Sequence, residues 1–285
     1  MRAAAFVMGG VLAAGAAFAQ QPSAVNARVV ARAAQPNLGQ AIGSILKDQT
    51  EAAWVGYAVP VILDASGNPK NDDGWSERCR LEQNPAGADT RSSGPAGAVR
   101  LEPSLTIMML LRVQNHEVQK IRTVSLDCQI DAGGLPLFWM SGAGSADSVA
   151  FLKTFVGDGT LRGLSEQALG AIGRHKDPAA TALLLDLARN GANARLRERS
   201  LFWIAQRAEP RALTTIGDAI ERDPDMSVKK QAVFALSRLP GGEGVPVLIT
   251  LARSNPHPEV RKQAMFWLGQ SKDPRALSFF EELLR

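Results

Sequence analysis

Four segments decide the fold, because they align without a gap at a spacing of 32 residues: Gln167-Ala-Leu-Gly-Ala-Ile-Gly173, Arg199-Ser-Leu-Phe-Trp-Ile-Ala205, Gln231-Ala-Val-Phe-Ala-Leu-Ser237 and Gln263-Ala-Met-Phe-Trp-Leu-Gly269. Apolar residues flank them in the same register, at Leu164, Leu196, Val228 and Val260 on one side and at Leu184, Ile216, Leu248 and Phe280 on the other. A period of this length is typical of stacked helix pairs, since one pair cannot bury its apolar face alone.

Turn residues repeat at the same period. Asp177-Pro178, Glu209-Pro210 and Asp273-Pro274 occupy equivalent positions. An acidic residue followed by Pro suits the N-cap and first position of a second helix, because the N–H that Pro lacks has no partner there anyway. Gly241-Gly242 replaces the pair in the third unit, where we expect a looser turn. Each unit is therefore predicted to be helix, tight turn, helix.

The last unit carries a resemblance to a known family. Val260 to Gly269, followed by Asp273-Pro274-Arg275-Ala276-Leu277, resembles the HEAT-like repeat of the phycobilisome-lyase type. The resemblance covers residues 161–285 and implies an α-solenoid that works as a binding surface or scaffold. It implies no bilin-lyase activity, because this repeat occurs in many unrelated proteins. The chain is also similar to exported bacterial HEAT-repeat proteins.

The solenoid is predicted over residues 142–285. Its repeats fall at about 164–195, 196–227, 228–259 and 260–285, and a capping helix at 146–156 precedes them.

The N-terminus predicts export. Arg2 is followed by an unbroken apolar run that ends in Ala17-Phe18-Ala19, which is typical of a secretory signal peptide over residues 1–19, cleaved after Ala19. We therefore expect a periplasmic or secreted protein with no membrane span in the mature chain. Residues 20–37 are polar, Ala-rich and aperiodic, which predicts a disordered leader.

Residues 38–141 are predicted to form a small β-rich module, which makes the fold class α+β. Helical spacing over 38–49 predicts one short helix, and β-forming residues over 52–63 predict a strand. Runs at 105–113 and 121–130 predict a β-hairpin, while the composition of 83–97 predicts a flexible loop. Residues 137–140 match the helical register too, but the glycine turn before them favours a strand.

Cys79 and Cys128 are the two cysteines of the chain. In an exported protein an isolated pair favours a disulfide over two buried thiols. Closing a loop of about 50 residues stabilises a fold by up to roughly 4 kcal/mol.

Motifs for chemistry are missing from the sequence. His116-Glu117 begins like a zinc-protease motif, but Lys120 stands where the second His is required. We expect His116, His175 and His257 to face solvent, and we predict no catalytic residue, metal site or cofactor. The alternative is an envelope enzyme or small-ligand binder with its site in the β-rich module.

Candidate partner-binding residues lie on two faces of the solenoid. Phe202, Phe234 and Phe266 follow Gly170 in one column, about 160° from the buried face of the first helices. Exposed, these rings would mark an interaction site; alternatively they fill grooves between repeats. On the other face of the second helices lie Asp186, Asp218, Arg189 and Arg253. They form either the charged inner surface on which a solenoid binds its partner or simply a solvated face.

Predicted export argues against nucleic acid as a partner, together with a small net charge of +4 from 32 basic and 28 acidic residues. In a cytosolic protein, basic residues at the starts of the first helices would instead suggest phosphate contacts. Basic residues recur where the first helices begin, at Arg197, Lys229, Lys230, Arg261 and Lys262, and we interpret them as solubilising the repeat edge. The sequence therefore predicts a protein partner of unknown identity and a monomer or weak oligomer.

Overall fold

The computed structural model describes residues 21–62, 79–82, 105–157, 162–207 and 209–285. The predicted signal peptide and the predicted loop at 83–97 lie outside these residues. The described chain has an α+β fold, in which strands and two helices come first and a stack of helix pairs follows.

The strands form two sheets. A five-stranded mixed sheet has the order β2-β7-β3-β4-β5, so that β5 is its last strand within the described residues. Strand β1 pairs with β6 in a two-stranded sheet. The strands are β1 Ala24–Val25, β2 Arg28–Ala33, β3 Ala53–Pro60, β4 Thr106–Gln114, β5 Glu117–Ser125, β6 Ile130–Asp131 and β7 Pro136–Ser141. The antiparallel pair of β4 and β5 is the predicted hairpin, and the strand favoured over 137–140 is β7.

The segment predicted as a disordered leader, residues 20–37, contains the two strands β1 and β2, and for these strands the prediction is wrong. Residues 28–33 form β2, which runs parallel to β7 along all six of its residues. Strand β7 pairs with β3 on its other side, so β2 satisfies backbone groups that would otherwise be an open edge. Most of β2 is exposed. A strand without a buried face lacks the alternation of apolar and polar residues by which strands are predicted from sequence.

The helices of the repeats form two layers. First helices α3, α5, α7 and α9 contact one another in chain order, and second helices contact the next second helix in the pairs α4–α6 and α8–α10. The ten α-helices of the described chain are α1 Leu38–Asp48, α2 Ser145–Lys153, α3 Arg162–Arg174, α4 Pro178–Asn190, α5 Ala194–Gln206, α6 Ala212–Arg222, α7 Met226–Ser237, α8 Val245–Ser254, α9 Pro258–Gly269 and α10 Pro274–Leu283.

Two of the three acidic caps form as predicted. Asp177 Oδ1 accepts a hydrogen bond from the N–H of Ala179 at 2.8 Å, and Asp273 Oδ1 accepts one from the N–H of Arg275 at 2.9 Å. Glu209 is not a cap: α6 begins only at Ala212, whose N–H bonds to the Glu209 carbonyl at 2.8 Å. In the third unit Gly241, at φ 60°, lies in a 3-10 turn over Pro240–Gly242, a left-handed conformation that favours Gly.

The sheet and the repeats share one hydrophobic core. One face of the sheet packs against α1, α2 and α3, and its buried side chains are continuous with those of the repeats as far as α10. The chain after β3 also pairs with the end of α3, where the N–H of Ile62 bonds to the Arg174 carbonyl at 3.0 Å. The sheet thus closes the N-terminal end of the helical stack, where a solenoid otherwise needs a cap.

The other face of the sheet carries a second core, which the predicted disulfide borders. Cys79 and Cys128 are bonded, with 5.7 Å between their Cα atoms and a sequence separation of 49. Beside them Glu82 Oε1 accepts hydrogen bonds from Trp54 Nε1 at 3.1 Å and from Arg112 Nε at 2.8 Å. The bridge therefore holds residues 79–82 against a buried tryptophan of the sheet.

Candidate functional site

The predicted Phe column is part of a continuous strip of rings across the first helices, which we call the aromatic strip. The rings of Phe202 and Phe234 stack with centroids 6.3 Å apart and an interplanar angle of 9°. Phe234 lies 4.7 Å from Trp267, which in turn meets Phe266 edge to face at 4.9 Å. At the other end Trp203 meets Phe202 edge to face at 5.3 Å. Such ring pairs contribute about 0.5–1.5 kcal/mol each beyond the area they bury.

The aromatic strip is partly open to solvent. Phe266 is 54% exposed, and the other four rings are half-buried. The rings therefore fill the grooves between repeats and also present apolar surface. Trp203 and Trp267 also belong to the strip, because their large rings reach sideways to the neighbouring Phe side chains.

Polar columns border the strip. Gln231 and Gln263 line a shallow groove over Phe234 and Trp267, together with Lys230. The column that contains Lys230 begins with Glu166 and Glu198 and ends with Lys262, so its charge changes from acidic to basic along the stack. An apolar stripe with polar edges is the usual anatomy of a surface that binds another protein.

A cleft of about 510 Å³ opens at the sheet end of the strip, and we call it the β5 cleft. Strand β5 forms one wall, helix α3 forms the floor, and α5 supplies the rings of Phe202 and Trp203. Gly170 and Gly163 lie on the α3 side, and the lack of side chains there leaves the space open. Sequence reasoning placed Gly170 in the Phe column, but no sequence signal showed that β5 lies across from it.

The acidic candidates of the second helices are engaged locally. Asp186 Oδ1 accepts a hydrogen bond from Asn190 Nδ2 at 2.8 Å within α4. Asp218 forms an ion pair with Arg222 at 3.3 Å, an i,i+4 pair within α6. Exposed pairs of this kind contribute little to stability, typically about 0.3–0.5 kcal/mol.

The basic candidates of the same face link one repeat to the next. Arg189 Nη2 donates to Thr215 Oγ1 at 3.2 Å, and Arg253 Nη2 forms an ion pair with Glu282. The Arg253 guanidinium also lies 5.4 Å from the centroid of the Phe279 ring. The structure therefore separates the seven candidates into the aromatic strip on one layer and four locally paired charges on the other.

The interpretation of the recurrent basic residues as merely solubilising is wrong for one column. Lys229 is 6% exposed, and its Nζ donates to the carbonyls of Ile220 at 2.6 Å and Glu221 at 2.8 Å. Arg197 bonds in the same way to the Gly191 carbonyl, and Arg261 to that of Asn255. Each cation thus satisfies carbonyls at the end of the preceding second helix, where positive charge is favourable.

The prediction that His175 faces solvent is wrong: its side chain is fully buried between the sheet and the repeats. Its Nδ1 lies 2.8 Å from the Ala171 carbonyl, and its Nε2 lies 2.8 Å from Ser148 Oγ, which is 2.8 Å from the Tyr57 hydroxyl. A carbonyl only accepts, so Nδ1 carries the proton and Nε2 accepts from Ser148. The one hydroxyl proton of Ser148 is engaged in that bond to His175. The Ser148 oxygen therefore accepts a hydrogen bond from the Tyr57 hydroxyl.

Burial dominates the electrostatics of this network. Desolvation is the largest effect and lowers the pKa of His175 to about 4. The hydrogen bond to the Ala171 carbonyl favours the charged imidazole and partly opposes this shift. The charge of Arg207 lowers the pKa further, and that of Asp177 raises it. Desolvation also raises the pKa of Tyr57. A Ser–His pair at this distance has the spacing of a nucleophile and its base, but all three side chains are fully buried and a carbonyl orients the imidazole. The arrangement is therefore structural.

The other two histidines lie outside the buried core. His116 is exposed in the hairpin turn, with Nδ1 2.9 Å from the Leu46 carbonyl, and His257 precedes α9 at a half-buried position. Among the described residues no group of three or more His, Cys, Asp or Glu side chains gathers closely enough to hold a metal ion. Every described helix is too short or too polar to cross a membrane.

Among the comparisons with known proteins, the family comparison identifies repeats in this chain. A family model of HEAT repeats matches residues 213–285. A search of curated proteins finds no match. The X-ray structure of YibA from Escherichia coli is 21% identical over 49% of this chain and 54% of its own, with a TM-score of 0.35. The structure of human deoxyhypusine hydroxylase in complex with glycerol is 18% identical over 47% and 43%, with a TM-score of 0.34.

This chain thus spans about half the length of the solved structures it matches. Likeness at this level does not bear on function. The matched family model together with the helical stack supports a HEAT-like repeat protein, and HEAT repeats commonly mediate protein interactions.

Proposed function

We propose that this protein is an exported, non-catalytic scaffold that binds another protein through the aromatic strip. The observation that carries the proposal is the continuity of the strip across α5, α7 and α9, with Phe266 54% exposed at its end. Neighbouring rings that stay partly open form an apolar surface, which marks interaction sites in many proteins.

The paired charges of the second helices support a secondary role for that face. Asp186, Asp218, Arg189 and Arg253 each have a partner within the chain, so a ligand would first have to replace those partners. The aromatic strip requires no such exchange. We therefore place the main contact on the first helices.

Export is part of the proposal and rests on residues 1–19 together with the disulfide, which suits an oxidising compartment. N-terminal sequencing of protein isolated from the periplasm or medium is expected to begin at Gln20. An uncleaved Met1 on protein recovered from the cytoplasm would contradict it.

The test of binding is a crosslinking pull-down with the oxidised protein from an extract of its native envelope. The variant Phe202→Ser, Phe234→Ser, Phe266→Ser should lose a partner that the wild type captures. A matched control is Leu277→Ser on α10, which removes a 63% exposed apolar side chain outside the strip and should leave capture unchanged.

Circular dichroism decides whether the triple variant stays folded. Capture by a folded triple variant at the level of the wild type would exclude the strip as the binding surface. An unfolded triple variant would mean that the rings act mainly within the core, and Phe266→Ser alone then serves as the test, because that ring is the most exposed of the three.

A further inference from the structure

Strand β2 ends the five-stranded sheet on the side away from β5, and its outer edge is exposed. Within the described residues β2 pairs with β7 alone, and no helix packs extensively against it. Five of its six residues are exposed, among them the apolar side chain of Val29 at 41%. The strand belongs neither to the aromatic strip nor to the charged face of the second helices, so the proposed function does not use it.

The hydrogen bonds of β2 show which of its backbone groups point outward. The N–H of Ala34, the residue after β2, donates to the Ser141 carbonyl of β7 at 2.9 Å. Backbone groups two residues apart on a strand point the same way, so every second residue back from Ala34 also faces β7. The residues between them therefore direct their N–H and C=O groups away from the sheet: Val29, Ala31 and Ala33.

Most of these outward groups are unpaired. The Ala31 carbonyl accepts a hydrogen bond from Nη1 of Arg32 at 3.2 Å, between neighbours on the same strand, and a ligand would replace this local bond. Among the described residues the other outward groups have no hydrogen-bond partner. An extended segment of another chain can pair with such a row as an added strand. A helix cannot, because its backbone groups already bond within the helix.

The charge of β2 selects the chemistry of that segment. Arg28 and Arg32 are exposed, neither forms an ion pair within the described residues, and β2 contains no carboxylate. The Arg32 guanidinium lies 5.9 Å from the centroid of the Phe138 ring, a contact that leaves further N–H donors for a ligand. Two such cations favour a ligand with carboxylates. They disfavour a second copy of β2, which would bring two more cations to the same edge.

A groove of about 280 Å³ lies beside this edge, between the sheet and α1. Arg32 lines it, and Asp48 on α1 is its one carboxylate, although the two side chains form no ion pair. Phe138, the register partner of Val30, lines the groove as well. Val30 lies between Arg28 and Arg32, and alternate residues of a strand share a face, so both cations lie on the face of the sheet that carries the groove.

We propose that the outer edge of β2 binds an extended acidic segment of a partner protein as a further strand. Two carboxylates of the segment, four residues apart, lie beside Arg28 and Arg32, and an apolar residue midway between them faces the groove beside α1. The aromatic strip begins beside β5, at the opposite end of the strand order, so the two surfaces are separate and this proposal does not depend on the strip.

A short synthetic peptide tests the proposal without knowledge of the natural partner. Side chains alternate along a strand, so the amidated probe Thr-Glu-Thr-Leu-Thr-Glu-Thr presents both Glu and the Leu on one face. Fluorescence polarisation of the labelled probe with the oxidised full chain gives its Kd. A probe with Lys in place of both Glu is the charge control, and it should bind at least about fivefold more weakly.

Two variants and their matched controls locate the site. Ala31→Pro removes an outward N–H and spares the pairing with β7, so it should weaken binding about threefold to tenfold, whereas Ala31→Val retains the N–H and the affinity. The double variant Arg28→Glu, Arg32→Glu should lose the acidic probe and bind the Lys probe instead. Its control, Arg238→Glu, Lys272→Glu, makes the same change of net charge on exposed side chains of the repeats and should bind like the wild type.

Absence of saturable binding to the wild type would overturn the proposal, as would equal affinity for the Lys probe. Unchanged affinity in a folded Ala31→Pro variant would also overturn it. If circular dichroism shows that variant to be unfolded, a probe methylated on all its amide nitrogens cannot donate to β2, and equal binding of that probe would overturn the proposal instead. A wild-type dimer in sedimentation that Ala31→Pro dissociates would place a second copy on the edge and would likewise overturn it.

Discussion

Acid should destabilise this protein through one buried imidazole. His175 contacts the Ala171 carbonyl and Ser148 and is completely shielded from water, so the folded protein holds it neutral until its pKa of about 4 is reached. In the unfolded chain the same ring takes up a proton near pH 6.5. Between these two values the unfolded state binds more protons than the folded state, and the free energy of unfolding must fall as the pH falls.

The size of the effect follows from that interval. Each pH unit between the two pKa values costs about 1.4 kcal/mol. From pH 6.5 to about 4 the loss is therefore roughly 3 kcal/mol, a large part of the stability of a typical domain. The contribution of His175 is complete above pH 6.5, declines through the interval, and levels off below the folded pKa.

Urea unfolding followed by circular dichroism at pH 7 and pH 4 measures this loss. In His175→Gln the titrating group is gone, so the variant should be less stable than the wild type at pH 7 but should lose about 3 kcal/mol less on acidification. Tyr57→Phe is the matched control, because it removes a hydroxyl from the same network and retains the imidazole. A constant difference in stability between wild type and His175→Gln at the two pH values would refute the reasoning.

Three further outcomes follow from packing and from the bridge. Gly173→Ala should destabilise the fold by about 1–3 kcal/mol in urea unfolding, because a Cβ atom there would lie 2.2 Å from the Trp203 ring; an unchanged midpoint would contradict that contact. Lys229→Met should cost about 1–3 kcal/mol by leaving buried carbonyls without a donor, and Lys229→Arg should recover part of it. Reduction of the Cys79–Cys128 disulfide should lower the free energy of unfolding by up to about 4 kcal/mol, measured by urea unfolding with and without dithiothreitol. As the control, dithiothreitol should not change the stability of the Cys79→Ser, Cys128→Ser variant.

The helical stack could be predicted because its information repeats. A period of 32 residues places each apolar column four times, so a local error in one unit is corrected by the other three. The column of Phe202, Phe234 and Phe266 followed from the same register. The participation of Trp203 and Trp267 in the strip did not follow from the register. Helical angles give the direction of a residue around the helix axis, but not how far a large indole ring extends sideways.

The features that were missed depend on contacts between distant parts of the chain. His175 stands before Lys176-Asp177-Pro178, which signals an exposed turn, yet its partner Ser148 lies 27 residues away and Tyr57 a further 91. Strand β2 is held by backbone pairing with β7 rather than by side chains. The β5 cleft needs strand β5 and a helix glycine to meet, and no pattern within either segment records that meeting.

The shared core of sheet and stack has a consequence for engineering. Helices α7 and α9 pack on neighbouring repeats, so a unit of 32 residues there can in principle be duplicated or exchanged as a cassette. Helix α3 is different, since it packs on β5 and on α2. In addition, the imidazole of His175, the residue that follows α3, contacts Ser148. A recombinant fragment cut between sheet and repeats would expose apolar surface on both pieces. New repeats should therefore be inserted after α5, and the sheet with its adjoining helices α1, α2 and α3 should be kept unchanged.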